Sequence, residues 1–146
     1  MLQENLALGR SVGDRSGIAN TISDLGNVAL VLNDDIQAYT YNRESLAIFQ
    51  ELEDRAGIAE CLEGIARVAS AQGDSIRSIQ LLGAAASLRD TSGVPLRPIE
   101  RSVIDCTMVT LRAATSQEQF TAAWSAGQTM KLEQVIVYVF EHRLHG

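Results

Sequence analysis

The hexapeptide Asp14-Arg15-Ser16-Gly17-Ile18-Ala19 returns 40 residues later as Asp54-Arg55-Ala56-Gly57-Ile58-Ala59, identical at five of six positions. The same offset sets Leu6 against Leu46, Ala7 against Ala47, Leu8 against Ile48 and Val12 against Leu52. It also pairs Leu25 with Ile65, Val28-Ala29 with Val68-Ala69, Asp34 with Asp74 and Ile36 with Ile76. Scattered matches arise by chance, but a near-identical hexapeptide continued by apolar positions in phase is hard to obtain that way. Such a recurrence means that like units lie side by side and share one apolar interior. The two hexapeptides are then expected in like settings.

Each copy reads as two helices. Ile58, Cys61, Leu62, Ile65, Val68 and Ala69 fall on steps of three and four, which puts them on one helical face. Gly73 stops that helix, and Asp74 can cap the next, which carries Ile76, Ile79, Leu82 and Leu88. In the first copy Ile18, Ile22, Leu25 and Ala29 line one face, Asn33-Asp34 makes the turn, and Ile36 to Leu52 forms the second helix. Leu2 to Val12 reads as the second helix of a preceding, incomplete repeat, as though the chain were part of something longer. Small residues recur at matched positions, Gly26 with Ala66, Ala38 with Ser78 and Ser45 with Ala85, where helices can approach closely. Composition agrees. Aromatics are 5% of the chain, and its two prolines, Pro95 and Pro98, leave the first ninety-odd residues free of the strongest helix breaker.

The last third leaves the period. Gly93 to Pro98 is a turn, and Pro98 can open a helix running to about Ala114 with Val103, Ile104, Met108 and Leu111 facing inward. Ser116 with Gln119 makes a capping-box pattern for a helix holding Phe120 and Trp124, which Gly127 is expected to end. Phe120 and Trp124 are expected to pack that helix onto the core. A final helix carries Leu132, Val135, Ile136, Val139 and Phe140. The chain is thus expected to be one domain, with helical repeats over 1–92 and capping helices over 93–146.

The paired helices resemble tetratricopeptide repeats at Leu25-Gly26, Ala29, Ala38 and Ser45, and again at Ile65-Ala66, Ala69, Ser78 and Ala85. They depart from that family in three ways. Ile22 and Leu62 replace its large aromatic, its closing proline is missing, and the period is 40 rather than ~34. A broader likeness is to the C-terminal region of large bacterial transcriptional regulators and predicted ATPases. It is carried by Glu44 to Phe49, Asp54 to Ala59, Gly83 to Arg89, Ala122 to Gln128 and Leu132 to Gln134. The resemblance implies an all-α, right-handed array of antiparallel helical hairpins that receives a signal or holds a partner. It implies a concave groove formed by the first helices, with Asn20, Ser23, Asp24, Asn27, Glu60, Glu63 and Arg67 as partner-binding positions. Asn20 and Asn27, like Glu60 and Arg67, are seven apart and share a face.

Charge narrows the partners. A net charge of −6 and no dense Lys/Arg cluster argue against direct nucleic-acid binding. No run reaches the ~18 apolar residues that span a bilayer, and Met1 to Leu8 lacks the pattern of a secretory signal. A cytoplasmic location is expected, with Cys61 and Cys106 as free buried thiols. No cofactor is expected. His142 and His145 lack enough neighbouring ligands for a metal and read as a solvated tail; Asp34-Asp35 reads as a cap, and Glu51, Glu53 and Asp54 as a solvated loop face. No nucleophile stands in a base-and-orienter arrangement, so no enzyme is expected. The expected function is protein or peptide interaction, or contact with other domains of a longer regulator. A small-ligand sensor with a pocket in the groove is the alternative. The nearly all-apolar last helix raises a homodimer through Val135, Val139 and Phe140.

Overall fold

A computed structural model describes residues 12–141, with side chains from Asp14 onward. The described residues form seven helices and no strand. These are α1 (Val12–Val31), α2 (Asp35–Glu51), α3 (Arg55–Ala71), α4 (Ser75–Ser92), α5 (Pro98–Ala114), α6 (Gln117–Thr129) and α7 (Leu132–Glu141). The half-repeat expected before Val12, and the two tail histidines, lie outside the described residues.

Three short turns share one mechanism. Asn33, Glu53 and Gly73 adopt φ of 60°, 55° and 81°, the left-handed conformation that ends a helix. The next residue is Asp each time, and its N–H reaches back to the last turn: Asp34 to Ala29 O at 2.8 Å, Asp54 to Phe49 O at 3.0 Å, Asp74 to Ala69 O at 2.9 Å. The same Asp caps the helix that follows, its carboxylate accepting from Gln37 N at 3.2 Å, Gly57 N at 3.0 Å and Arg77 N at 3.4 Å. One residue therefore closes one helix and opens the next. The capping read for Asp34 and Asp74 holds, and Asp54 belongs with them rather than to a solvated face.

Helices pack mainly on their neighbours: α1 on α2, α2 on α3, α3 on α4. The core between them holds Leu46, Phe49, Ile58, Leu62, Ile65, Ile79 and Leu81, all essentially inaccessible. Burying each such side chain contributes ~1.5–3 kcal/mol. Small residues do sit at the contacts: Gly26, Ala38, Ser45, Ala66, Ser78 and Ala85 are all buried. Ser45 Oγ donates to Ala19 O at 2.7 Å and Ser78 Oγ to Ala66 O at 2.6 Å, so the two hydroxyls cross helix contacts already bonded.

The chain then changes partner. α4 packs on α6 far more extensively than on α5. The crossing is made by two glycines: a Cβ on Gly83 would lie 2.5 Å from Trp124 O, and one on Gly127 2.0 Å from Gln80 O. Gly127 thus lies inside α6 rather than ending it; its missing side chain is what lets two backbones meet. The capping box is present, with Ser116 Oγ accepting from Gln119 N at 3.1 Å and Gln119 Oε1 from Ser116 N at 3.0 Å. Phe120 is buried and stacks on half-buried Trp124, so both pack inward as expected.

Several expectations are corrected. On α1 the buried stripe is Ala19, Ser23, Gly26 and Ala29, whereas Ile18 is 36% and Leu25 43% exposed. Small residues face α2 because Ser45 and Asn42 press against them; the larger aliphatics point where no described helix lies. Ile36 and Ile76 are likewise exposed at the first turns of α2 and α4. Asp14 lies within α1, while Asp54 precedes α3 as its cap, so the two hexapeptides share a helix but not a setting. Cys61 is buried, but Cys106 is exposed, because α5 buries only Leu111 completely.

The self-association surface is also corrected. Val135 and Val139 are buried in the chain's own core, and Phe140 is half-buried with the Arg43 guanidinium 5.1 Å from its ring centroid. Tyr39 Oη donates to Val139 O at 3.3 Å, and Tyr138 Oη to Gln80 Oε1 at 2.6 Å. The buried side of α7 meets α2 and α4 through these contacts.

Candidate functional site

The groove positions expected on α1 and α3 come together on one side of the molecule. Asn20, Asp24 and Asn27 sit on α1, and Glu60, Glu63 and Arg67 on α3, around two adjoining concavities of about 260 and 430 Å³. Glu60 borders both. The far wall was not expected: it is the segment from Val94 to Arg97 and the first turns of α5. Ile99, Val103 and Ile104 of α5 face Val31 of α1 across the smaller concavity and make it partly apolar.

Two of the groove residues are structural. Glu63 is 8% exposed and receives a two-pronged bond from Arg89, Nε to Oε2 at 2.6 Å and Nη2 to Oε1 at 2.8 Å. Burial pushes the Glu63 carboxyl up against the Arg89 contact, and that contact pushes Arg89 up in turn. Arg89 also reaches Val94 O and Pro95 O at 3.4 and 3.5 Å, holding the segment before α5. Glu100 then closes the hub. It accepts from Arg97 N at 2.8 Å and Arg97 Nη2 at 3.2 Å, with Arg89 Nη2 at 3.9 Å. Burial alone would raise the Glu100 carboxyl; the Arg97 contacts, helped by Arg89, hold it below the usual range. Ser23, the other structural member, is buried and donates to Glu60 Oε1 at 3.3 Å.

The remaining charges are poised rather than paired. Burial, then the nearby Glu100, pushes the Glu60 carboxyl up, and the Ser23 hydroxyl only partly offsets this. Arg67 is lowered by burial and donates from Nη1 to Asn27 Oδ1 at 3.3 Å. It forms no ion pair among the described residues. A half-buried carboxylate and a half-buried guanidinium, two turns apart on one helix, therefore face one concavity, each short of a counter-charge.

Sequence reasoning missed Arg89, Arg97, Glu100 and the apolar wall of α5. One signal was available: Arg89 stands at the position that Phe49 occupies 40 residues earlier, and a charge replacing a core aromatic calls for a buried partner. No metal-holding cluster of His, Cys, Asp or Glu occurs among the described residues, and none of their helices is long and apolar enough to cross a membrane. Burial pushes the Cys61 thiol up to about 12, which makes it a poor nucleophile. The chain matches no protein-family model, no curated protein and no solved structure.

Proposed function

We propose that this chain is a non-enzymatic interaction module of the tetratricopeptide-like kind, a right-handed array of helical hairpins closed by capping helices. Its groove takes a protein or peptide segment, or another domain of a longer bacterial regulator. Turns that recur every 20 residues, at Asn33, Glu53 and Gly73, support the repeat reading. The observation that carries the function is the pair of adjoining concavities lined by Asn20, Asp24, Asn27, Glu60 and Arg67. Their polar side chains lie along two adjoining concavities and suit the repeating donors and acceptors of an extended backbone. The segment bound should carry a basic residue for Glu60 beside an apolar one for the wall of Ile99, Val103 and Ile104. A cytoplasmic setting fits this role, as does a net charge that disfavours nucleic acid.

A second reading, a small-ligand sensor, draws on one feature: the smaller concavity of about 260 Å³ is walled by Val31, Ile99, Val103 and Ile104. The polar positions Asn20 and Asp24 lie beyond it, in the adjoining concavity, so the segment-binding reading, which uses both, is preferred.

Random-peptide display against the immobilised chain tests the proposal. Enriched sequences should share a basic–apolar pair. The Asn27→Ala/Arg67→Ala double variant should lose at least ~10-fold in affinity for them, one tenfold step being 1.4 kcal/mol, with its melting temperature nearly unchanged. Equal binding by the double variant rejects the groove.

A further inference from the structure

Helical spacing gives α1 three faces. Ala19, Ser23, Gly26 and Ala29 are buried, with Ser45 of α2 donating to Ala19 O and Asn42 of α2 against Gly26. Asn20, Asp24 and Asn27 line the groove. Ile18, Leu25, Val28 and Leu32 form the third face, and all four are exposed. That face carries no charge, since Asp24 is the one charged side chain from Ser16 to Asn33. An uncharged aliphatic stripe about four turns long is a contact surface rather than a solvated one.

The other copy shows what covers such a face. On α3 the counterparts Ile58, Ile65 and Val68 are inaccessible. There α4 takes the side that α2 takes on α1, with Ser78 Oγ on Ala66 O, the counterpart of Gly26. The other side belongs to α2, which precedes α3, is joined to it by the short turn at Glu53, and packs along it with Leu46 and Phe49 buried. Phe49 lies so close over Gly57 that a Cβ there would strike its ring. Gly17 is the same socket on α1, with nothing within 4 Å of where its Cβ would be. What α1 lacks is an equivalent of α2: an antiparallel helix, aliphatic on one side and ending in a large aromatic. The chain has no such aromatic to spare. None of the exposed large apolar side chains of the described residues is aromatic, so a second copy has none to offer Gly17. The residues before Val12 contain none either, and Gly9 stands where Phe49 does 40 residues on. We propose that the third face of α1 seats an amphipathic helix of a partner protein, antiparallel to α1, with aliphatic residues along Leu25, Val28 and Leu32 and a phenylalanine-sized aromatic over Gly17. This seat is separate from the groove and does not depend on it.

The chain itself supplies a probe: a fluorescent peptide of the α2 sequence, Asp34 to Asp54, titrated with the full chain and read by anisotropy. The peptide should bind saturably, and its Phe49→Ala form about 30-fold more weakly, as for an aromatic anchor. In the chain, Leu25→Asp should abolish binding by placing a charge in the seat. Gly17→Leu should weaken it at least ~10-fold by filling the socket. Its melting temperature should hold or rise, because the site is open and leucine favours a helix over glycine. No saturable binding up to about 1 mM overturns the proposal, as does an affinity indifferent to Gly17→Leu, the result expected if the peptide merely replaces α2 against α3. Binding that falls in Asn27→Ala/Arg67→Ala but not in Gly17→Leu places the peptide in the groove and overturns the seat. Two further results would do the same. A wild-type dimer in sedimentation that Leu25→Asp dissolves would assign the face to a second copy, and a ~10-fold gain in peptide affinity on deleting residues 1–11 would assign it to the chain's own first residues.

Discussion

α1 and α3 carry one pattern, 40 residues apart, and meet different fates. Ile58, Ile65 and Val68 are each 1% exposed, whereas their counterparts Ile18, Leu25 and Val28 are 36%, 43% and 53% exposed. A Cβ added at Gly57 would strike the Phe49 ring at 2.4 Å; one at Gly17 meets nothing within 4 Å. α3 lies between α2 and α4, while α1 is flanked by α2 and touches α3 only slightly among the described helices. A repeat therefore encodes which face of a helix is apolar, and its neighbours decide whether that face is covered.

The sharpest way to break this comparison is to cut the counterpart aliphatic residue from both copies. Ile65→Ala should cost about 3–4 kcal/mol, the range for a large aliphatic removed from a packed core. Leu25→Ala should cost under about 1 kcal/mol, because the side chain is already half in water. Urea denaturation reads both. Equal losses would mean that α1 is covered in solution as fully as α3.

The next effect separates the copies by charge. Glu63 and Ser23 are equivalent and both buried. Glu63→Ala leaves Arg89 enclosed without its carboxylate and should cost about 3 kcal/mol. Ser23→Ala removes one hydroxyl bonded to Glu60 and should cost about 1 kcal/mol or less. A mild Glu63→Ala would show that the segment before α5 opens and lets water reach Arg89.

These pairs show what could be read in advance. The helical character and the caps at Asp34, Asp74 and Ser116 were legible, because each depends on neighbours a few residues away, whereas the Asp54 cap and the place of Gly127 inside α6 were not. That Asn20 and Asn27 share a face of α1, and Glu60 and Arg67 a face of α3, was legible too, since a seven-residue spacing fixes it. The wall from Val94 to Ile104 was not, because where α5 lies depends on Arg89 gripping Glu63 across a separation of 26 residues. Nor was the burial of Val135 and Val139, since an apolar stripe looks the same whether it meets its own chain or another.

A third test concerns pH. The Glu60 carboxyl is raised above its ordinary 4.5, so the folded chain holds that proton more tightly than the unfolded one. The group favours folding on the acid side, and its contribution declines as pH rises from 4.5 through the folded value. Asn20, its counterpart, carries no such penalty. Glu60→Gln should then be more stable than wild type at neutral pH, with the two converging as pH falls to 4.5 and below. A gap that stays constant with pH would place Glu60 in open water and remove it from the groove's electrostatics.

The smallest effect compares the turns. Asn33, Glu53 and Gly73 share one left-handed conformation, with φ of 60°, 55° and 81°, yet they are not equally suited to it. Glycine has no Cβ to clash, and asparagine is tolerated there, but glutamate is held at a cost of about 1 kcal/mol. Glu53 is exposed, so that cost is not offset by burial. Glu53→Gly should raise stability by about 0.5–1 kcal/mol, the relief of strain being partly offset by the freer unfolded chain. Asn33→Gly should be near neutral. Equal gains at both positions would trace the effect to the unfolded state and not to the turn. No gain at Glu53 would mean that its side chain makes a contact worth as much as the strain, which would set the second turn apart from the other two.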